Sequence, residues 1–289
     1  MKIRSRALLA GFVVLLAPEL TDANAAVRVV TSFYPVYVAA LNVTKGVDGA
    51  EVHNMAGPHI GCLHDYQLTA GDARKLSDAD LLVVNGAGME TFLEKIRSQY
   101  PRLNIIDAGE GIPLLDGNPH VWASPAGARA QVDNIARALS GADPANAARY
   151  ATNAAAYNAQ LSAFGTRMKS ELAPLAGTPV VAQHDSLAYL AGDLGLEMVG
   201  VIQDEHGHEP DAAELARIID LVRGKKVKLI LTEPQYSDRL ALTIARETGA
   251  EVLVLDPVVT GASDPDRARG AWLETMEKNL AVLRNALRS

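Results

Sequence analysis

Residues 145–172 read ANAARYATNAAAYNAQLSAFGTRMKSEL, a stretch that contains no proline and has Gly165 as its one glycine. Its larger apolar side chains recur every three or four residues, which places them on one face of a long helix: Tyr150, Ala154, Tyr157, Leu161, Phe164, Met168 and Leu172. Proline is tolerated in a first helical turn, so Asp143-Pro144 is a plausible start. Since about 30 helical residues extend over 45 Å at 1.5 Å per residue, this stretch predicts a rigid connector running along two domains.

On both sides of this helix, short apolar strand candidates alternate with segments of helical spacing. The candidates are Val27–Thr31, Glu51–Met55, Leu81–Gly86 and Leu103–Asp107 in the first half, and Pro179–Gln183, Met198–Ile202, Val227–Thr232 and Glu251–Leu255 in the second. This alternation predicts an α/β fold of two doubly wound parallel-sheet domains. We expect an N-terminal domain over 26–142, the connecting helix over 143–175 and a C-terminal domain over 176–289.

The first 25 residues have the pattern of a cleavable signal peptide. Lys2, Arg4 and Arg6 precede an uninterrupted apolar run from Ala7 to Ala17, and Ala23-Asn24-Ala25 offers the small residues that a signal peptidase requires. Cleavage is expected after Ala25 or the next alanine, and with no cysteine at this junction the sequence does not indicate a lipid anchor. The expected location of the mature protein is a bacterial periplasm.

Composition excludes several classes of protein. Of the 289 residues 48% are hydrophobic and 21% are charged, which excludes intrinsic disorder. A net charge of −7 argues against binding to nucleic acid. Cys62 is the single cysteine, so the chain is not a disulfide scaffold, and no apolar run reaches the roughly 18–20 residues of a membrane-spanning helix.

Four metal-ligating residue types lie just after predicted strands, two in each half. His184 and Asp256 directly follow strands, whereas His64 and His120 lie in loops after Glu51–Met55 and Leu103–Asp107. In open α/β sheets ligands bind beyond the carboxyl ends of the strands, so these side chains are expected to converge on an interdomain cleft. Three imidazoles and one carboxylate suit tetrahedral Zn²⁺. The alternative is that they are ordinary loop residues.

The segments around these residues resemble the zinc and manganese solute-binding proteins of metal-importing ABC transporters. The resemblance rests on five segments in the family's order: His64-Asp65-Tyr66-Gln67-Leu68, Asn118-Pro119-His120-Val121-Trp122, Gln183-His184-Asp185-Ser186-Leu187, Glu233-Pro234-Gln235 and Leu255-Asp256-Pro257. It covers nearly the whole mature chain. It implies a rigid two-domain fold with a connecting helix, the same four ligands, and a periplasmic receptor of the high-affinity zinc uptake type.

The sequence departs from this family at two places. Zinc receptors of this type often carry a long loop rich in histidine and acidic residues between the first and second ligands, but residues 112–118 contain no histidine. Cys62 lies two residues before His64, where the family pattern does not require a thiol. We interpret this cysteine as a small residue in a tight loop, with zinc ligation as the alternative.

The remaining histidines have structural alternatives. His206 and His208 could form an accessory metal site. We favour the alternative, a solvated loop before a helix. We read His53 as a strand residue and His59 as a loop residue. Near the ligands, Asp185 and Glu233 are candidate acceptors for imidazole N–H groups, with surface carboxylates as the alternative. Trp122 and Tyr66 are expected to pack beside the site.

The leading hypothesis is a periplasmic receptor, not an enzyme, that carries Zn²⁺ as a monomer to an ABC permease in the inner membrane. A periplasmic metallochaperone is left open as a second partner, and carriage of manganese under some conditions is left open as well. The alternative from another class is a secreted zinc hydrolase, with Asp185 or Glu233 as general base. Four protein ligands would close the coordination position that such an enzyme needs for water. A metal-dependent adhesin would use the same fold.

Overall fold

The computed structural model describes residues 27–57, 63, 66–203 and 210–288. Its first half is built on one sheet of four parallel strands: β1 (Arg28–Thr31), β2 (Glu51–Asn54), β3 (Leu81–Val84) and β4 (Asn104–Asp107). The strand order is β2-β1-β3-β4. The chain places β2 on one side of β1 and then crosses back to place β3 and β4 on the other side, so the strand order switches between β1 and β3. All four residues of β3 are buried, as an inner strand covered on both faces requires.

Four helices cover this sheet: α1 (Tyr34–Val43), α2 (Ala70–Ser77), α3 (Leu93–Gln99) and α4 (Pro125–Ala142). Local signals set where they begin. Thr69 and Asp72 form a reciprocal capping box at α2, and the Ser124 hydroxyl accepts the Gly127 N–H at the start of α4 over 3.1 Å. These contacts satisfy backbone donors that a helix leaves unpaired at its first turn.

One helix is shorter than its spacing predicts. We expect helix over Met89–Gln99, but α3 begins at Leu93 because Glu90 turns back towards the end of β3. Its two carboxylate oxygens accept the N–H groups of Asn85 and Gly86 over 2.7 and 3.1 Å. Gly86 has φ +81 and a Cβ there would meet Asp107, so the turn demands glycine.

The second half repeats the same topology. Its strands are β5 (Pro179–Ala182), β6 (Glu197–Val201), β7 (Leu229–Thr232) and β8 (Glu251–Val254), parallel and in the order β6-β5-β7-β8. Its helices are α6 (Ala188–Leu194), α7 (Ala212–Gly224) and α8 (Arg239–Thr248). Asp211 and Glu214 form the expected capping box at α7. The predicted fold class, two parallel-sheet α/β units with a long helix between them, is confirmed.

The connecting helix is α5 (Ala147–Glu171), with a 3-10 turn at each end, Pro144–Asn146 and Ala173–Leu175. Every member of the predicted apolar stripe, from Tyr150 to Leu172, is buried. The helix packs on α4 and α1. Tyr150 also anchors its start, because the phenol donates to the Asp143 carboxylate over 2.8 Å. The stripe therefore fixes α5 along its length.

The final helix, α9 (Pro265–Ala286), is absent from the sequence interpretation, and it packs across both halves of the chain. It lies against β8, α5 and α1. Arg269 Nε donates to the carbonyl of Leu41, and Asn42 Nδ2 donates to the carbonyl of Arg269. Helix α9 therefore links the C-terminal part of the chain to α1 in the first half. The predicted domain boundaries at residues 142 and 175 stay a prediction. No helix within the described ranges is long and apolar enough to cross a membrane.

Candidate metal site

His120 lies in the loop between β4 and α4, at the end of a short, closely packed turn. Residues Val121–Ala123 form a 3-10 turn that runs directly into the capped start of α4. A Cβ on Gly127 would lie 1.9 Å from the Val121 carbonyl oxygen, so glycine alone lets the helix approach this turn. The His120 side chain is fully buried.

A buried amide network holds the backbone just before His120. Asn85, which directly follows β3, donates through Nδ2 to the Pro119 carbonyl over 2.9 Å. Gln131 of α4 donates to Asn85 Oδ1 over 2.7 Å, and both amides are buried. Glu90 holds the backbone of Asn85 at the end of β3, and Asn85 in turn holds the backbone at Pro119. These contacts connect the His120 loop to the first sheet.

Trp122 joins the His120 loop to the loop after β8. Its indole N–H donates to the Pro257 carbonyl over 2.8 Å, and its own carbonyl accepts the indole N–H of Trp272 in α9 over 2.9 Å. Its ring lies edge-on to Phe33 at 4.8 Å and 5.2 Å from the ring of His120. Trp122 therefore packs beside the site and connects the two halves there.

His184 lies two residues after the end of β5, at the position where the second sheet changes its strand order. Its Nδ1 accepts the Ser186 N–H over 3.3 Å. Glu233 follows the neighbouring strand β7 and is buried. The Ser186 hydroxyl donates to Glu233 Oε1 over 2.6 Å, and this oxygen lies 3.9 Å from His184 Nδ1. The crevice between β5 and β7 is where such a sheet binds ligands.

The structure brings His120 and His184 together between the two sheets. Their ring centroids are 4.9 Å apart and their planes are perpendicular. Asp185 completes a group of three whose ligand atoms all lie within 4.8 Å of one another. Asp185 Oδ1 lies 3.5 Å from Nδ1 of His120 and 3.6 Å from Nδ1 of His184. The group could hold a metal ion, and its carboxylate lies on the Nδ1 side of both rings.

Asn118 sets the orientation of the His120 ring. Its Oδ1 lies 2.8 Å from His120 Nδ1 and also accepts the His120 backbone N–H over 2.8 Å. An amide oxygen can only accept, so Nδ1 must carry the proton and the lone pair resides on Nε2. Metal-bound histidines usually donate their second ring N–H in this way. The contact prepares His120 to ligate through Nε2.

Asp256 follows β8 and is held in place by contacts of its own. Its Oδ1 accepts the Val258 N–H over 2.7 Å and lies 3.5 Å from Gln235 Nε2. Asn279 of α9 holds its backbone through both N–H and carbonyl. Within the described ranges Asp256 is not in the group of His120, His184 and Asp185. His64 lies outside the described residues, so the four-ligand set stays a prediction.

Burial raises the pKa values of two carboxyl groups in this region, Glu233 and Asp256. Burial raises the pKa of Glu233 to about 8, the Ser186 hydroxyl lowers it, and the nearby Asp185 and Asp256 raise it. Burial also raises the pKa of Asp256. Bringing like charges together in a low-dielectric site disfavours their ionisation. A divalent cation bound here would favour the ionised forms.

The other candidates of the sequence analysis lie elsewhere or fall outside the described ranges. His53 is exposed on β2, 3.6 Å from Glu51, and is a surface strand residue. Tyr66 donates to Asp72 over 2.8 Å and packs against Phe92. Cys62, His59, His206 and His208 lie outside the described residues. Asn118 was named from the sequence only as part of the segment around His120 and was given no role, although its place two residues before His120 suits a side chain that contacts the ring.

Two parallel sheets, a connecting helix and a buried histidine pair between the sheets define a solute-binding protein for metal ions. The chain belongs to the family of the zinc-uptake complex component A, periplasmic, whose model matches residues 29–286. The resemblance stated from the sequence is therefore confirmed. The family is one of solute-binding proteins for metal uptake and not of hydrolases.

Individual relatives agree with this assignment. The high-affinity zinc uptake system protein ZnuA of Bacillus subtilis is 30% identical over 283 residues, covering 90% of this chain and 87% of the relative. The zinc-binding lipoprotein AdcA of Streptococcus pneumoniae is 30% identical over 284 residues, 91% of this chain but only 56% of AdcA. Its Zn(II)-bound structure has a TM-score of 0.74 at 31% identity, covering 89% and 57%.

A third relative was solved with a different metal ion. The SBP FpvC of Pseudomonas aeruginosa, in complex with Mn²⁺, has a TM-score of 0.82 at 30% identity. The match covers 91% of this chain and 99% of FpvC. The shared fold therefore accommodates more than one divalent metal, and the chemistry of the ligands in this chain must decide its preference.

Proposed function

We propose that this protein is an exported solute-binding protein that captures Zn²⁺ and delivers it to an ABC-type permease. The observation that carries the proposal is the perpendicular pair of buried imidazoles, His120 and His184, 4.9 Å apart between the two sheets. Two buried imidazoles at this separation can share one small cation. In the proposal His64 and Asp256 complete a four-coordinate site.

The ligand chemistry favours zinc as the cargo. Imidazole suits zinc, whereas carboxylate and water suit manganese. Asn118 leaves Nε2 of His120 available to the ion. The carboxylate of the proposed ligand Asp256 offsets part of the charge of the ion. Four protein ligands close the site to a substrate water, which supports a carrier over the hydrolase alternative.

The setting of this function follows from the N-terminal segment and the family. Residues 1–25 are proposed to direct export and to be removed, leaving the mature protein in the periplasm. Its main partner is proposed to be the permease in the inner membrane, with a periplasmic metallochaperone as a further partner to test. We propose that the protein acts as a monomer and has no nucleic-acid ligand.

Competition titration of the purified protein with a zinc chelator tests the site. His64→Ala, His120→Ala and His184→Ala should each weaken zinc binding by orders of magnitude, since each removes one of four strong bonds. The matched control is His53→Ala, which removes an exposed histidine outside the group of His120, His184 and Asp185 and should bind zinc like the parent. Parent-like binding by the His120 variant would show that the proposed site is wrong.

A second comparison separates the two candidate carboxylates. Asp256→Asn should weaken zinc binding more than Asp185→Asn if Asp256 is the ligand and Asp185 only contacts the rings. Both substitutions keep the size of the side chain and remove one charge. The opposite order would assign ligation to Asp185, next to His184, and would overturn the proposed set.

A further inference from the structure

An apolar groove lies on the surface next to the metal site and is formed by both halves of the chain. Its volume is about 940 Å³. The walls are α4 from the first half, α6 from the second, and the segment of residues 110–115 between β4 and His120. Apolar or small residues line most of it: Ile112, Pro113, Leu115, Ala130, Tyr189 and Gly192.

The groove continues onto an exposed apolar edge. Leu114 and Leu115 are adjacent in the chain and are 39% and 48% exposed. Singly exposed apolar residues are common on protein surfaces, but a contiguous apolar patch marks a place of interaction. Groove and edge together form a surface suited to an apolar side chain of another polypeptide.

The charges around the groove specify that polypeptide further. Glu110, Asp133 and Asp193 line it, against one cation, Arg137, whose guanidinium donates to Asn134. The local charge is therefore negative, in a chain of net charge −7. Opposite charges across an interface steer and orient the encounter. The complement is a segment that presents an apolar side chain next to lysine or arginine.

Hydrogen bonds connect this surface to the metal site. The Tyr189 hydroxyl accepts the Leu115 N–H over 3.0 Å and donates to the Asn118 carbonyl over 2.7 Å. Asn118 contacts the ring of His120 and the carboxylate of Asp185. A short series of contacts thus runs from His120 through Asn118 and Tyr189 to Leu115. A change at the metal site can therefore be transmitted to the groove.

We propose that this groove is the docking surface for a segment of the transport permease that carries an apolar side chain beside a basic one. The inference rests on the proposed function and adds to it the surface that the permease contacts. Because the groove is built from α4 and α6 together, docking would engage both halves of the receptor at once.

Uptake of radioactive zinc by cells that lack the receptor and are supplied with variants tests the proposal. Gly192 lines the groove, and a Cβ there meets no atom within 4 Å, so a larger side chain can leave the helix at this position; Gly192→Trp is chosen to fill the groove. It should keep the parent's zinc affinity but lower the initial uptake rate about tenfold or more, as expected for blocking a central contact. Gly141→Trp is the matched control, since Gly141 is an equally open helical glycine outside the groove.

A charge-reversal pair provides an independent test. Asp193→Lys should lower uptake and weaken its dependence on ionic strength, whereas Asp220→Lys on the exposed face of α7 should not. Far-UV circular dichroism and zinc titration check that each variant is folded. The glycine substitutions test the shape of the groove, and the aspartate substitutions test its charge.

The outcomes separate this inference from the function on which it rests. Parent protein that supports no zinc uptake overturns the proposed function. Normal parental uptake with undiminished uptake by zinc-loaded Gly192→Trp and Asp193→Lys overturns the docking surface alone. Sedimentation of the zinc-loaded parent as a dimer that Gly192→Trp dissociates assigns the groove to a second copy of the chain, and also overturns the proposal.

Discussion

The amide of Asn118 donates two hydrogen bonds to Asp185, one to its carbonyl over 3.0 Å and one to its carboxylate over 2.9 Å. Asn118 belongs to the loop after the first sheet and Asp185 to the turn after β5 of the second. The same amide accepts from His120 through its oxygen, and Asp185 is the neighbour of His184. One side chain therefore holds the loops of both histidines in register.

The first prediction concerns this contact. Asn118→Ala should weaken zinc binding about 10–100-fold, the range typical for losing the partner of a metal-bound histidine. The reason is that His120 loses the acceptor for its Nδ1 proton and the two loops lose their link. Isothermal titration against a competing chelator measures the change.

The matched control for Asn118 is Asn158→Ala. Asn158 is also a buried asparagine, donating to Asp133 over 2.7 Å, but it lies on α5 away from the histidines. Its loss should lower the free energy of unfolding and leave zinc affinity unchanged. Equal zinc affinities for the two variants would show that Asn118 contributes only to stability.

The second prediction concerns the pH dependence of stability without metal. Burial raises the pKa of Glu90 from 4.5 to about 7. Between these values the unfolded chain loses the proton and the folded chain keeps it, so stability falls as pH rises through the interval. The slope contributed by this group approaches 1.4 kcal/mol per pH unit, about the energy of one pKa unit.

Urea unfolding in the presence of a chelator at several pH values between 4.5 and 8 measures this dependence. Glu90→Gln removes the titrating group, so its free energy of unfolding should fall less between pH 5 and 7 than that of the parent. Glu94→Gln, an exposed change on α3, should retain the parental slope. Identical slopes for the parent and the Glu90 variant contradict the prediction.

The third prediction concerns metal preference and depends on His184. His184 contributes an imidazole, a ligand that suits zinc, whereas carboxylate ligands suit manganese. Zinc also stands above manganese in the Irving–Williams order, so manganese should fail to displace zinc from the parent at equal concentration. His184→Glu should lower zinc affinity and shift the relative preference towards manganese.

Competition binding with both metals decides this prediction. The control is His53→Glu, which makes the same substitution at an exposed position on β2 and should leave the preference unchanged. Comparable affinities of the parent for zinc and manganese would rule out the zinc assignment while leaving the assignment to a metal receptor intact.

The fourth prediction concerns the size of the molecule. The buried stripe of α5 and the packing of α9 on α1 brace the two halves against hinge motion. Small-angle scattering should therefore give nearly equal radii of gyration with and without zinc. A marked contraction on adding zinc would contradict a braced receptor.

Features that depend on local periodicity can be predicted from the order of residues alone. The stripe from Tyr150 to Leu172 defined the connecting helix, and short apolar strands alternating with capped helices defined two parallel sheets. The position of His184 directly after a strand located it at a sheet's ligand-binding edge, because the carboxyl ends of parallel strands share one edge. Those inferences need only the spacing of residues along the chain.

The side chains that contact one another could not be predicted in this way and are known from the three-dimensional structure. Nothing in the spacing shows that Asn118 contacts Asp185, 67 residues away, or that α9 returns to pack on α1. The 90° arrangement of His120 and His184, and the position of Asp185 at the Nδ1 side of both rings, depend on how the two sheets are placed against each other. That placement results from burial of apolar surface between elements distant in sequence, which local patterns do not encode.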